Sequence, residues 1–280
     1  MRAIKIITDS TADLSKELLK EIDVISLPLY VQFPNKTYQD GIDITTNELY
    51  ELVETHKTLP KTAAISPGDF MKTFDQYIKE GFDVVYIGIG SKISATFQSA
   101  LVASQEFPED RVFLVDSLNL SSGIALLVLK AKDLRDQGLS AEAIKEEITK
   151  LVPKVRSQFA IRVLDYLHKG GRASGTAALV GKMLRVRPII KVEDGVLNVY
   201  KKPMGSMKKA VDIMLTDFEK TNIDEDYVMI THTMAPNQAD YMVDFVQSNK
   251  KHNNLIISEA GCVISSHCGA GTIGILYIEK

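Results

Sequence analysis

Asp83-Val84-Val85-Tyr86-Ile87-Gly88-Ile89-Gly90-Ser91-Lys92-Ile93-Ser94-Ala95-Thr96 decides the fold class. Asp83 to Ile89 is a near-continuous apolar run, the pattern of a strand covered on both faces. Gly88-Ile89-Gly90-Ser91 breaks that run. Helical spacing then starts at Ser94 or Ala95 and lasts to Glu106. The same unit recurs on either side. Upstream, Ala3 to Thr8 is a short β-branched run. Asp9-Ser10-Thr11-Ala12-Asp13 follows as a capping segment before the helical pattern Leu14, Leu18, Leu19, Ile22. Downstream, Arg111 to Val115 reads as a strand ending in Asp116-Ser117, with a long helical stretch from about Leu118 to Gln137. Strand, polar turn and helix in repetition predict a parallel sheet covered by helices.

The connecting segments fill in the rest. Val24 to Phe33 reads as one strand, Thr46 to Thr55 as a helix, Leu59 to Pro67 as a loop and Gly68 to Lys79 as a helix. After the helix Ala141 to Leu151 and Pro153, Phe159 to Val163 reads as a strand. Leu164 to Lys169 is a short helix ended by Gly170-Gly171. Ile189 to Lys191 and Val196 to Tyr200 flank Glu193-Asp194-Gly195, a hairpin signal. Met207 to Lys220, Tyr227 to Thr231, Asn237 to Lys250 and Leu255 to Ser258 alternate helix and strand, and Gly274 to Ile278 is a terminal strand. The expectation is an α/β chain of two domains, 1–153 with a mainly parallel sheet and 154–280 with a mixed sheet.

Composition narrows the function classes. The chain has 280 residues, 45% hydrophobic and 25% charged, with a formal net charge of −3. A nearly neutral chain has no basic footprint, so nucleic acid is not an expected partner. The densest apolar stretch, Ile124 to Leu129, is far short of a membrane span. The start of the chain lacks a signal-peptide pattern. Cys262 and Cys268 are too few for a disulfide scaffold and fit a reducing cytoplasm. There is no Trp, while Ile, Leu, Val and Met are plentiful, so the interior is aliphatic.

In an open parallel sheet, ligands collect beyond the carboxyl ends of the strands. Four hydroxyl-rich segments lie there: Asp9-Ser10-Thr11, Thr62 to Ser66, Gly90 to Thr96, and Asp116-Ser117. A helix N-terminus favours an anion, although capping alone explains any one of these loops. Together they point to an anionic ligand. Gly269-Ala270-Gly271-Thr272-Ile273-Gly274 spells G-x-G-x-x-G, but a strand follows it instead of a helix, so it is no dinucleotide fingerprint. Gly175 to Met183 is no P-loop. No histidine or cysteine spacing suggests a metal. His267, before the glycine run, is able to donate to an anion. Arg172 follows a double glycine that permits close approach of another molecule.

These blocks, in this order, resemble the DegV family, whose characterised members are fatty-acid-binding subunits of bacterial fatty acid kinase. The resemblance rests on Ile7 to Leu14, Lys61-Thr62 to Ser66-Pro67, Ser91 to Ala100, Val115-Asp116-Ser117 to Ser121-Ser122-Gly123, Leu164 to Arg172, and His267 to Gly274. It implies two α/β domains with one long-chain fatty acid, such as palmitate, stearate or oleate, buried between them. It implies that Thr62 and Ser94 hold the carboxylate, with His267 completing the network. Arg172, Thr96 and Ser66 fall near the headgroup or the kinase-docking face. A separate ATP-binding kinase subunit then phosphorylates the carboxylate. The chain itself is expected to be a lipid-binding subunit of phospholipid metabolism, not an enzyme, with no cofactor or metal. Transient membrane contact is compatible with this role. The chain departs from the family pattern at Ala63-Ala64-Ile65, at Ala95, at Ala270, and after Lys202, where kinase-binding members often carry arginine.

The physical chemistry is compatible. Each buried CH₂ contributes about 0.8 kcal/mol, so a sixteen-carbon chain offers on the order of 10 kcal/mol before entropy and desolvation are subtracted. A buried carboxylate must then be hydrogen-bonded. Two other readings stay open. One is an autonomous enzyme acting on a small phosphorylated metabolite, with His267 as acid–base catalyst. The other is a lipid-sensing module without a kinase, motivated by the segment after Lys202.

Overall fold

The computed structural model describes residues 2–172, 186–249 and 252–280; the stretch Gly175 to Met183 lies outside them. In chain order the first half contains β1 (Ile4–Asp9), α1 (Lys16–Glu21), β2 (Val24–Leu27), β3 (Tyr30–Phe33), β4 (Lys36–Gln39), α2 (Thr46–His56), β5 (Lys61–Ala63), α3 (Pro67–Lys79), β6 (Asp83–Gly88), α4 (Thr96–Ser104), β7 (Val112–Asp116), α5 (Ser122–Asp136) and α6 (Ala141–Leu151). The second half contains β8 (Val155–Ala160), α7 (Leu164–Gly170), β9 (Ile189–Glu193), β10 (Val196–Lys201), α8 (Met207–Lys220), β11 (Ile223–Thr233), α9 (Pro236–Asn249), β12 (Asn254–Glu259), α10 (Cys262–Cys268) and β13 (Thr272–Glu279).

The quoted run forms β6, as its apolar pattern predicts. It lies inside a four-stranded, all-parallel sheet ordered β2-β1-β6-β7. Every residue of β1 is buried, which is why its sequence is a run rather than an alternation. The second sheet has six strands ordered β10-β9-β8-β13-β11-β12, antiparallel except for the parallel pair β11 and β12. The α/β class with one parallel and one mixed sheet is therefore as read.

Several local readings differ. Val24 to Phe33 is two strands, not one. Pro28 has no N–H for a ladder, and the chain breaks at Pro28-Leu29 to pass from the parallel sheet into a three-stranded antiparallel sheet, β4-β3-β5. The loop from Leu59 to Pro67 contains β5, pairing Thr62 with Val31. The helix read from Leu118 starts only at Ser122, because Leu118 and Ser121 adopt positive φ of 47° and 54°. The strand read at Phe159 to Val163 runs three to four residues earlier, over Val155–Ala160. The seven-residue α10 was legible only as a turn; it is too short and too apolar to show a period.

α5 joins the two main sheets. Ser122 through Leu129 are all buried, as expected of a helix apolar on every side. One core cluster contains Ile6, Val85 and Ile87 from the parallel sheet, Ile124 to Leu129 from α5, and Val155, Met229, Leu276 and Ile278 from the six-stranded sheet. The chain crosses from one sheet to the other at 152–154, but the two sheets pack on the same helix.

Candidate functional site

The sheet order places β1 and β6 side by side with their outward connections leading to opposite sides, a topological switch point. The loops after these strands meet there, and Asp9 holds them together. One of its oxygens accepts from the backbone N and hydroxyl of Thr11. The other accepts from Tyr86 Oη at 2.8 Å and from Ile89 N at 2.9 Å. Asp116 accepts from Ser91 N at 3.0 Å and Leu118 N at 3.1 Å, and Ser10 accepts from Leu29 N at 3.1 Å. Two of the four hydroxyl-rich segments are thus taken up by capping and loop closure.

The other two segments reach a cavity. It measures about 480 Å³, within the range of small-molecule sites. Thr62, Ser94, His267 and Arg172 all line it. They arrive from β5, the loop before α4, the last turn of α10 and the end of α7. Thr62 Oγ1 and His267 Nε2 are 2.8 Å apart. This contact exists because α10 packs against α2, β3, β5 and α7. Ser94 Oγ accepts from Thr96 N at 3.2 Å and lies 3.0 Å from Thr96 Oγ1. Thr96 is fully buried and supports Ser94 from behind; it does not line the cavity. Ser66 is elsewhere too, capping α3 by accepting from Asp69 N at 3.2 Å.

The remaining walls are apolar: Leu29, Ala63, Ala64, Ile89, Ile93, Leu120, Leu167, Leu197, Val263 and Ile264. Leu120, Ile264 and Cys268 also border a second void of about 30 Å³ reaching toward Phe159 and Leu276. Hydroxyls facing that void are engaged elsewhere: Thr231 with Ser122, and Thr233 with Tyr50 at 2.8 Å and Ser265 at 3.0 Å. At the rim, Lys92 Nζ donates to Asp194 O at 2.7 Å, tying the loop after β6 to the β9–β10 hairpin. These wall residues were not assignable from sequence, because nothing local distinguishes a cavity leucine from a core leucine.

Electrostatics suit a neutral hydrogen-bonding site. Burial, and then the charge of Arg172, push the His267 pKa down to about 4. Its ring is neutral at pH 7 and its Nδ1 is enclosed, with no hydrogen-bond partner among the described residues. Burial pushes the Cys268 thiol up to about 12, so it is a protonated, apolar wall. Among the described residues no cluster of three or more His, Cys, Asp or Glu is placed to hold a metal. Both cysteines are free thiols.

A family model described as "Uncharacterised protein, DegV family" matches residues 3–280. The chain belongs to the DegV family. A DegV domain-containing protein of Clostridium acetobutylicum is 36% identical, covering 100% of both chains. Among solved structures, a fatty-acid-binding DegV protein of Thermus thermophilus superposes with a TM-score of 0.93 at 31% identity, covering 100% of both chains. A stearic acid-binding protein of Eubacterium ventriosum superposes with a TM-score of 0.89 at 28% identity, covering 99% of this chain and 98% of that one. Within this DegV chain no described helix is long and apolar enough to cross a membrane.

Proposed function

We propose that this DegV protein binds one long-chain fatty acid, of the palmitate, stearate or oleate class, in the 480 Å³ cavity. The observation that carries the reading is an apolar chamber closed at one side by Thr62, Ser94 and His267. The hydrocarbon lies along the aliphatic walls. The carboxylate takes hydrogen bonds from the Thr62 and Ser94 hydroxyls. His267, neutral, donates to Thr62 Oγ1 and so frees the Thr62 proton for the ligand. Arg172 adds positive charge beside this group and makes no ion pair among the described residues, which suits a headgroup whose charge rises on phosphorylation. The fatty acid-binding relatives in solved structures support this reading.

The bound carboxylate is presented, in the cytoplasm, to a separate ATP-dependent kinase subunit that forms the acyl-phosphate. An autonomous enzyme is the weaker reading. His267 contacts a threonine hydroxyl and the field of an arginine, and no carboxylate among its described contacts orients it as a base.

Mass spectrometry of lipid extracted from the purified protein tests the binding role. A stoichiometric long-chain fatty acid is expected. No acyl chain in the extract and no uptake of added palmitate would sink the proposal. Thr62→Ala with Ser94→Ala is expected to weaken palmitate binding by at least about tenfold, since two hydrogen bonds to a charged group are lost; unchanged affinity removes both residues from the headgroup site. A pull-down with a fatty acid kinase ATP-binding subunit, with acyl-phosphate as product, tests presentation; binding without complex formation leaves lipid sensing.

A further inference from the structure

The capping segment Asp9 to Asp13 contributes one residue that the lipid site does not explain. Asp13 is buried and in the left-handed region at φ 55°, outside the cavity. It ties together three segments distant in sequence. One carboxyl oxygen accepts from Ser121 Oγ. The other accepts from Gly261 N at 2.7 Å. Its backbone carbonyl accepts from Ser258 Oγ.

Each side-chain tie leads to a cavity wall. Ser121 has φ 54° and ψ −144°, a strained conformation for a non-glycine residue that persists only when its surroundings enforce it. It adjoins Leu120, which lines both the cavity and the deeper void. Gly261 is the N-cap of α10, whose last turn bears His267. The helix is one short rigid rod of about 10 Å. A shift at Gly261 therefore moves His267 against Thr62.

We infer that Asp13 is a positioning residue of the lipid site: it sets fatty-acid affinity by clamping the Leu120 wall and the His267 helix in one register. Asp13 does not itself line the cavity; Leu120 and His267, whose geometry it fixes, do. The inference rests on the cavity being a fatty-acid site, and the test separates the two.

The first measurement is palmitate affinity of delipidated wild type, Asp13→Ala, Asp13→Asn and Ser121→Ala. Asp13→Ala is expected to bind about tenfold more weakly, and Ser121→Ala, which cuts a single tie, severalfold more weakly. Asp13→Asn keeps an acceptor for Gly261 and a polar partner for Ser121, and should recover most of the loss. In Asp13→Ala with Thr62→Ala the combined loss should fall short of the product of the single losses, because a displaced His267 no longer makes the bond that Thr62→Ala removes. The second measurement needs no lipid: NMR titration of His267, whose pKa should rise from about 4 toward the ordinary histidine value in Asp13→Ala or, if that variant does not fold, in Ser121→Ala. Folded variants with wild-type affinity and an unmoved His267 titration would overturn the role of Asp13. A wild type that binds no palmitate overturns the fatty-acid reading instead, and the NMR arm still decides the clamp.

Discussion

At the scale of single residues, Gly170 shows how little room the site leaves. It ends α7 without a positive φ, so alanine costs nothing in backbone conformation. A Cβ there would lie 2.4 Å from His267 Nδ1, well inside contact distance. Gly170→Ala must therefore push the imidazole off Thr62. The expected outcome is a folded protein with palmitate affinity lowered severalfold to about tenfold, read by titration calorimetry; one lost hydrogen bond is of that size. Sequence alone marked this glycine as part of a helix stop and of a double glycine open to close approach, not as a neighbour of His267.

His267 also carries a stability prediction. Its folded pKa, about 4, lies below the unfolded value near 6.5. Between these values the unfolded chain binds more protons, so stability falls as pH drops through the window. The loss approaches about 3 kcal/mol at the acid end. Asp9, Asp13 and Asp40 act in the opposite sense, because burial raises all three; their stabilising contribution is present at acid pH and fades as pH rises. The decisive quantity is thus the difference between wild type and His267→Gln in urea melts. That difference should change by a few kcal/mol between pH 6.5 and pH 4. A flat difference would contradict a buried neutral imidazole.

At the scale of elements, the strands and long helices were legible because their side chains are sorted by burial. β6 after Asp83 and the first half of α5, Ser122 to Leu129, are buried along their whole length. β5 and α10 were not legible. β5 is three residues long and exists through its pairing with β3. α10 is seven residues, fastened by Asp13 and Asp40 through Gly261 N and Cys262 N, both bonds 2.7 Å and both from the far end of the chain. Yet these two elements carry Thr62 and His267. The loops were half legible: hydroxyl-rich turns were visible, but whether a hydroxyl caps a helix, as Ser66 does, or faces a cavity, as Ser94 does, depends on its surroundings. The segment after β7 is equally constrained. A Cβ on Gly90 would meet Asn119 N at 2.9 Å and Leu118 Cα at 3.0 Å, both backbone atoms that cannot swing aside. Gly90→Ala is expected to cost about 1–3 kcal/mol in denaturant melts, the range for overpacking; a neutral result would mean that the 117–121 segment is free to move.

At the scale of the whole molecule, the shared helix matters most. Leu127 is fully buried within the cluster that unites both sheets. Leu127→Ala should cost about 2–5 kcal/mol. Because both sheets lean on α5, the loss should shift one cooperative transition, with calorimetric and van't Hoff enthalpies in agreement. Two separable transitions, only one of them displaced, would show that the halves melt independently.

By itself the sequence determined the alternation of strand and helix, the aliphatic interior, the near-neutral surface and the segments bearing hydroxyls. These are short-range or compositional properties, written in periods of two and 3.6 residues. Tertiary structure decided which hydroxyls face a ligand. Thr62 and His267 are 205 residues apart and meet at 2.8 Å. No local propensity encodes that distance. It follows from α5 packing between two sheets and from carboxylates near the start of the chain capping a helix near its end. The site is a consequence of burial, which acts on the folded whole and leaves no period in the chain.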